Sequence, residues 1–123
     1  MPTVLIVEDE VQIFIMTESV LQSAGYDTLT AATVAEAQAI INSDQKLDLV
    51  FVDITLANHP EGGITIGKMV DQSRLGLPVL YTSGRELTDD MRSLFASNSK
   101  YLSKPYTELQ LKDAIAGMLA AKH

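Results

Sequence analysis

LVFVDITL, at residues 49–56, decides the fold, because four residues suited to a buried strand run directly into an aspartate. Continuous apolar runs bounded by polar residues are typical of parallel strands that are covered on both faces. TVLIV at 3–7 and PVLY at 78–81 have the same character. An ionised carboxylate is unfavourable inside a core without a partner, so Asp53 is expected where its strand emerges from the core.

The rest of the chain alternates strand patterns with helix patterns. Weaker, mixed strand patterns occur at 26–32 and 100–103, and helix-like segments occupy 10–24, 34–43, 63–74, 88–97 and 108–121. Strict alternation predicts a doubly wound parallel sheet with right-handed crossovers. The first, third and fourth strands are the most apolar and are expected at the centre, which selects the flavodoxin-like order 2-1-3-4-5. We therefore expect an α/β fold of the (βα)5 type, with one domain over residues 1–123.

Three local signals place helix boundaries. Thr33 with Glu36, and Thr107 with Gln110, have the spacing of capping boxes and predict helix starts. Gly25 stands where the first helix is expected to stop.

Composition narrows the class of protein. The chain has 123 residues, of which 46% are hydrophobic and 20% charged, and these proportions are typical of one globular domain. It contains no cysteine, so disulfides and thiolate chemistry are excluded. It shows no leader pattern and no apolar run of the roughly 18 residues that span a bilayer. The net charge of −7 argues against nucleic-acid binding, so we expect a cytoplasmic domain without nucleic-acid or membrane partners.

Polar residues follow four of the predicted strands, at the edge where open parallel sheets bind ligands. They are Glu8 and Asp9 after the first strand, Asp53 after the third, Thr82 and Ser83 (followed by Gly84) after the fourth, and Lys104 (followed by Pro105) after the fifth. Acids this close together need a cation, and carboxylate oxygens suit Mg²⁺. A carboxylate nucleophile, Mg²⁺, a lysine and a hydroxyl are the groups needed to transfer a phosphoryl group to Asp53.

The four motifs VLIVEDE, LVFVDITL, PVLYTSG and YLSKPY stand in this order at the ends of the strands. With them the chain resembles, over essentially its full length, the receiver domain of bacterial two-component response regulators, the CheY-like family. The resemblance implies that Asp53 is the phosphoacceptor. It also implies that Mg²⁺ binds Asp9, Asp53 and the backbone carbonyl of Thr55, with Glu8 acting through a water, and that Lys104 contacts the acyl phosphate.

The same resemblance implies a switch. Ser83, rather than Thr82, matches the switch hydroxyl, because it lies five residues after Pro78 and directly before a small residue. Tyr101 corresponds to the aromatic ring that turns inward when Ser83 moves toward the phosphoryl group. The peptide bond between Lys104 and Pro105 is expected to be cis.

The resemblance also implies partners. A histidine kinase or histidine phosphotransfer protein would donate the phosphoryl group, as in a phosphorelay, and the surface of helix 4, strand 5 and helix 5 would bind a downstream protein. The domain would be a monomer or a phosphorylation-dependent dimer, and it would promote only its own phosphorylation and dephosphorylation. The segment 88–97, which has few apolar residues to bury, is the predicted mobile element.

A docking site for the donor is predicted on the first helix. On a helical wheel of 10–24, one arc of residues is expected to face the core, and Val11 and Ile15 fall outside it on one exposed face. The predicted core arc comprises Ile13, Phe14, Thr17, Val20, Leu21 and Ala24.

The chain departs from the family pattern after Asp53. The family usually has a proline four residues after the phosphoacceptor, where this chain has Ala57, and the loop ANHPEGG is one residue longer before its glycines. Thr55 and Arg85 occupy positions that vary among relatives and tune dephosphorylation. His59 and His123 are given no role.

Three other functions fit parts of the pattern. The first is a receiver-like interaction module that is never phosphorylated. The second is an aspartate-nucleophile phosphohydrolase, which typically needs a second acid two residues after the nucleophile, where Thr55 stands. The third is a flavin or nucleotide binder, whose phosphate cradle the pair Glu8–Asp9 would repel.

Overall fold

The computed structural model describes residues 1–56 and 59–121. Five strands alternate with five helices in chain order. They are β1 (Thr3–Val7), α1 (Val11–Ser23), β2 (Asp27–Ala31), α2 (Val34–Ile41), β3 (Leu49–Asp53), α3 (Gly62–Ser73), β4 (Val79–Ser83), α4 (Asp89–Arg92), β5 (Ser99–Ser103) and α5 (Glu108–Ala121).

The strands form one parallel sheet in the order β2-β1-β3-β4-β5, which confirms the predicted fold and strand order. Every residue of β1, β3 and β4 is buried, whereas β2 and β5 are partly exposed at the edges. The apolar runs therefore identified the central strands, because only those strands are covered on both faces.

Alternation along the strands separates two cores. Val50 and Val52 contribute to one core together with buried residues of α2 and α3, such as Ile66. Leu49 and Phe51 contribute to the other, which contains buried residues of α1 and α5. Successive side chains of a strand point to opposite faces, so the sheet lies between these two helical layers.

Both predicted capping boxes contribute a side-chain cap. The Thr33 hydroxyl accepts the backbone N–H of Glu36 (3.1 Å), and the Glu36 carboxylate accepts the N–H of Ala32 (2.7 Å). At α5 the exchange is reciprocal: Thr107 Oγ accepts the N–H of Gln110 (3.1 Å), while Gln110 Oε1 accepts the N–H of Thr107 (2.8 Å). These bonds satisfy N–H groups that have no partner within the helix.

The predicted core arc of α1 is partly wrong. Thr17, Val20 and Leu21 are buried, and Ile13 and Phe14 are half-buried, but Ala24 is exposed. Ala24 lies at the C-cap, and Gly25 follows it with a φ of 95°. The chain therefore leaves the helix before a side chain at 24 can face the core, and Gly25 supplies the left-handed residue that ends it.

The predicted helix over 88–97 is much shorter in the structure. It spans Asp89–Arg92, and its N-cap hydroxyl, that of Thr88, accepts the N–H of Met91 (3.1 Å). Leu94 is 39% exposed, while Phe95 is half-buried and Ala96 is buried. The chain leaves helical geometry because Phe95 and Ala96 pack against β4, as described below.

Candidate functional site

An ion-pair cluster lies at the carboxyl ends of β1, β3 and β5. The Lys104 ammonium lies 2.6 Å from Asp53 Oδ2 and 3.4 Å from Glu8 Oε1. Both carboxylates are buried, and the lysine side chain is 20% exposed. The structure therefore brings together three residues that the sequence separates by 96 positions.

Backbone hydrogen bonds that continue past the strand ends hold this cluster. The N–H of Ile54 donates to the carbonyl of Thr82 (2.9 Å), and the N–H of Lys104 donates to the carbonyl of Ser83 (3.0 Å). Lys104 and the residue that follows Asp53 are thus bonded to the end of β4. A side chain supported in this way is positioned by the sheet rather than by a free loop.

Both oxygens of the Asp53 carboxylate have partners in the structure. Oδ2 accepts from Lys104, and Oδ1 accepts the backbone N–H of Thr55 (3.0 Å). Hydrogen bonds to an ionised carboxylate stabilise its charged form, which is the form that acts as a nucleophile.

The charged form of Glu8 is disfavoured by burial. Its Oε2 accepts the backbone N–H groups of Asp9 (3.0 Å) and Glu10 (3.2 Å). Burial nevertheless raises the pKa of Glu8 to about 7, outweighing the hydrogen bond from Glu10 and the attraction of Lys104, while the charge of Asp53 adds to the rise. The carboxyl group therefore changes protonation near neutral pH.

The lysine remains charged between the two acids. Burial by itself lowers the pKa of Lys104, but the hydrogen bond and charge of Asp53, with a smaller contribution from Glu8, outweigh burial and raise it. One positive charge thus serves two buried carboxylates, and the cluster has an excess of negative charge whenever Glu8 is ionised.

The third predicted acid, Asp9, is half-buried and follows Glu8 at the same edge of the sheet. Within the described residues, no group of three acidic, histidine or cysteine side chains is arranged to hold a metal ion. The donors themselves are nonetheless of one chemical kind, since Glu8, Asp9, Asp53 and the Thr55 carbonyl offer only oxygen. Oxygen donors are the ligands that Mg²⁺ prefers, so the chemistry of this set fits that ion.

Ser83 and Tyr101 are joined through the backbone. Ser83 is buried, and its Oγ accepts the N–H of Arg85 (3.1 Å). The Tyr101 hydroxyl donates to the carbonyl of Ser83 (3.1 Å), which also accepts the N–H of Lys104 (3.0 Å). The predicted switch pair is therefore in contact, and both members connect to the ion-pair cluster.

Sequence reasoning missed the role of Gly63. A Cβ at this position would lie 2.6 Å from the carbonyl oxygen of Asp53 and 2.7 Å from the Cα of Ile54. Its N–H donates to the carbonyl of Ile54 (2.9 Å), so the first turn of α3 packs directly on the backbone behind the phosphoacceptor candidate. The paired glycines at 62–63 are the sequence signal that a close approach of this kind leaves.

The loop after Asp53 is held at its two ends. Leu56 and His59 exchange two backbone hydrogen bonds (3.1 and 2.9 Å), and the guanidinium of Arg85 donates to the carbonyl of Pro60 (2.9 Å). Arg85 thus links this loop to the loop that follows β4, a contact that sequence reasoning did not predict. The departure from the family at Ala57 lies outside the described residues, and so does His123.

Exposed apolar side chains lie on α1, the helix that follows Glu8. Val11 is 68% exposed and Ile15 is 56% exposed, in agreement with their predicted exposure, and Met16 adds an exposed side chain that the helical wheel did not single out. Of these three residues, Met16 lines an open cavity of about 370 Å³. The cavity is lined by Ile13, Met16, Gly84, Lys104, Pro105 and Tyr106.

The Lys104–Pro105 peptide bond at this cavity is cis. Tyr106 follows it, and burial raises the pKa of its hydroxyl.

The described part of the chain contains no helix with the length and apolar character needed to cross a membrane.

Comparison with known proteins connects this geometry to a family. The family model of the response regulator receiver domain matches residues 4–116. The uncharacterized transcriptional regulatory protein YbdJ of Bacillus subtilis (strain 168) is 30% identical over 116 residues, which are 94% of this chain and 50% of YbdJ. The chain spans about half the length of the curated relatives it matches.

Solved structures show the same likeness. The response regulator receiver protein from Sinorhizobium medicae WSM419 superposes with a TM-score of 0.89 at 27% identity, covering 99% of this chain and 97% of that one. A CheY-like receiver domain protein from Methanospirillum hungatei JF-1 superposes with a TM-score of 0.85 at 25% identity, covering 99% and 96%. The family match, the strand order and the residues at the strand ends agree, and the chain belongs to the response regulator receiver domains of two-component systems.

Proposed function

We propose that this domain accepts a phosphoryl group on Asp53 and changes its protein partners in response. The observation that carries the proposal is the contact of 2.6 Å between Lys104 Nζ and Asp53 Oδ2, at the sheet edge where the family accepts phosphoryl groups. A lysine held against a buried carboxylate supplies positive charge where phosphoryl oxygens would arrive.

The donor is a phosphohistidine on a histidine kinase or a histidine phosphotransfer protein. An oxygen of Asp53 attacks phosphorus, and the bond between phosphorus and the imidazole nitrogen breaks with its electron pair going to nitrogen. The imidazole then takes a proton from solvent, and Asp53 becomes an acyl phosphate. Thr55 N–H and Lys104 hold the carboxylate in place for this attack.

Mg²⁺ is the proposed cofactor. Asp9, Asp53 and the carbonyl of Thr55 would hold it, with Glu8 contributing through a water. When bound, the ion supplies positive charge that neutralises the phosphoryl oxygens. Its removal by a chelator is therefore expected to stop phosphorylation.

The donor protein docks beside the acceptor. Val11, Ile15 and Met16 are exposed apolar residues of α1, and Met16 also lines the cavity that Lys104 lines. An apolar surface at the rim of a reactive site is a favourable place for a helical partner. Ile15→Lys is therefore expected to slow transfer from the donor protein and to leave phosphorylation by acetyl phosphate unchanged. Equal slowing with both donors would contradict this docking site.

The response passes through Ser83 and Tyr101 to the surface of α4, β5 and α5, where a downstream protein binds. We propose that residues 1–123 act in the cytoplasm as one such signalling domain, as a monomer or as a dimer formed on phosphorylation. The net charge of −7 argues against direct contact with nucleic acid.

Intact mass after incubation with Mg²⁺ and acetyl phosphate tests the proposal. One added phosphoryl group is expected on the wild-type chain and on Asp44→Asn, a matched change at an exposed loop acid. Asp53→Asn and a chelated sample are expected to gain none. Absence of an adduct, together with absence of binding by the acyl-phosphate mimic beryllofluoride, would overturn it.

A receiver-like module that is never phosphorylated is the second candidate. It is favoured by one observation, namely that Lys104 already pairs with both Glu8 and Asp53. The mass measurement decides between the two, since only the first candidate predicts an adduct that Asp53→Asn abolishes.

A further inference from the structure

Three aromatic rings share one face of the sheet beside Ser83. Tyr81 and Ser83 point to the same face of β4, and the register pairs Tyr81 with Tyr101 on β5. The ring of Phe95 stacks on Tyr81 with centroids 4.1 Å apart and planes at 23°. It also lies 6.4 Å from the ring of Tyr101, tilted by 31°. We call Tyr81, Phe95 and Tyr101 the aromatic latch.

The latch also makes polar contacts at both of its tyrosines. The hydroxyl of Tyr81, which is fully buried, accepts the backbone N–H of Ala96 (2.8 Å). It fits against α3 only because position 67 is glycine, since a Cβ there would overlap the hydroxyl. The other tyrosine, Tyr101, donates to the Ser83 carbonyl (3.1 Å), and the guanidinium carbon of Arg92 lies 5.3 Å from the centre of its ring.

These contacts account for the short α4. In a continuing α-helix the N–H of Ala96 would donate to the carbonyl of Arg92, four residues earlier. In the structure that N–H goes to Tyr81, while the N–H of Phe95 bonds the carbonyl of Arg92 over three residues (3.2 Å). The Tyr81 hydroxyl has thus replaced a helical partner, and it fixes the course of the chain after α4.

We propose that Tyr81 is a positioning residue that couples the switch pair to the segment 93–96. The proposal rests on the proposed function, in which Ser83 and Tyr101 respond to phosphorylation of Asp53. When Tyr101 leaves the Ser83 carbonyl, Phe95 loses one of its two aromatic neighbours and Arg92 loses the ring that it covers. Ala96 then separates from Tyr81, and the surface of α4 and β5 changes.

Amide hydrogen exchange at Ala96, read residue by residue by NMR, tests the latch. In the unmodified protein, Tyr81→Phe removes the acceptor of this N–H, and exchange is expected to be about fivefold faster than in wild type. Tyr26→Phe is the matched control, because it removes a hydroxyl from a ring that packs on the other core. It is expected to leave exchange at Ala96 unchanged.

The coupling of Ser83 and Tyr101 to the segment 93–96 is tested by repeating the exchange measurement after adding Mg²⁺ and beryllofluoride. In wild type, exchange at Ala96 is expected to rise by a similar factor, whereas Tyr81→Phe, with its latch already open, is expected to show little further change. Two results would overturn the proposal. One is an increase in Ala96 exchange on adding beryllofluoride to Tyr81→Phe that is as large as in wild type. The other is an exchange rate at Ala96 in Tyr81→Phe, without beryllofluoride, that equals the wild-type rate. Intact mass of the same proteins after incubation with Mg²⁺ and acetyl phosphate reports the proposed function separately. The comparison without beryllofluoride decides the contact between Tyr81 and Ala96 even if no phosphoryl group is added.

Discussion

Replacing Glu8 by glutamine is expected to stabilise the domain at alkaline pH. The rise of the Glu8 pKa from 4.5 to about 7, caused mainly by burial, corresponds to about 3 kcal/mol of preference for the protonated form in the folded state. The folded state holds this proton more tightly than the unfolded chain does. The stability that it confers is therefore complete below pH 4.5 and is lost as pH rises through about 7.

Glutamine resembles the protonated acid and should remove this loss. Its side-chain carbonyl can still accept the N–H groups of Asp9 and Glu10, but it no longer attracts Lys104, which lies 3.4 Å away and is partly exposed. The rise of the Glu8 pKa to about 7 already includes that attraction, so the expected gain at pH 8 is about 2–3 kcal/mol. Near pH 4.5, where the acid itself is protonated in the folded state, the two proteins should differ by under about 0.5 kcal/mol.

Urea denaturation in chelator, repeated at several pH values between about 4.5 and 8, measures the difference in the free energy of unfolding between variant and wild type. That difference should grow with pH, whereas Glu10→Gln, the same change at the exposed neighbour, should give a constant one. A difference for Glu8→Gln that stays constant or shrinks would refute the reasoning. The more stable variant is also expected to accept phosphoryl groups more slowly, because it loses a carboxylate proposed to help hold Mg²⁺.

Three further changes test other contacts. Gly67→Ala should destabilise the fold by about 1–3 kcal/mol in urea denaturation, because its methyl overlaps the Tyr81 hydroxyl, and adding Tyr81→Phe should recover part of the loss. Arg74→Met should reduce the free energy of unfolding by about 1–3 kcal/mol, and this is measured as a lower melting temperature. The reason is that the Arg74 guanidinium donates hydrogen bonds to carbonyl oxygens at and beyond the end of α2 (2.7–3.0 Å). Lys104→Gln should slow acyl-phosphate formation, followed by intact mass, about 100-fold, and an unchanged rate would contradict its proposed role.

The strand order and the residues at the strand ends could be predicted because both follow from short-range patterns. A run such as LVFV indicates a strand buried on both faces, and the residue that follows it marks where the strand ends. In parallel sheets these ends meet at one edge, so Asp53 and Lys104 could be placed near each other before their contact of 2.6 Å was known.

Contacts between distant segments could not be predicted in this way. The pattern over 88–97 is helical by propensity, yet Tyr81 binds Ala96 and the helix ends at Arg92, because tertiary contacts override a weak local preference. The raised pKa of Glu8 likewise depends on how deeply the fold buries it beside Asp53, which spacing along the chain does not reveal.

Lys104 connects the charge of the site to the switch. Its ammonium serves both Glu8 and Asp53, while its N–H binds the Ser83 carbonyl that also accepts the Tyr101 hydroxyl. A phosphoryl group on Asp53 would add negative charge that competes with Glu8 for the single lysine. If the ammonium then follows the phosphoryl oxygens, the main-chain bond to Ser83 carries that displacement to the carbonyl on which Tyr101 rests. Under the proposed function, the Ser83 carbonyl would thus be a direct physical route from phosphorylated Asp53 to the proposed switch residue Tyr101.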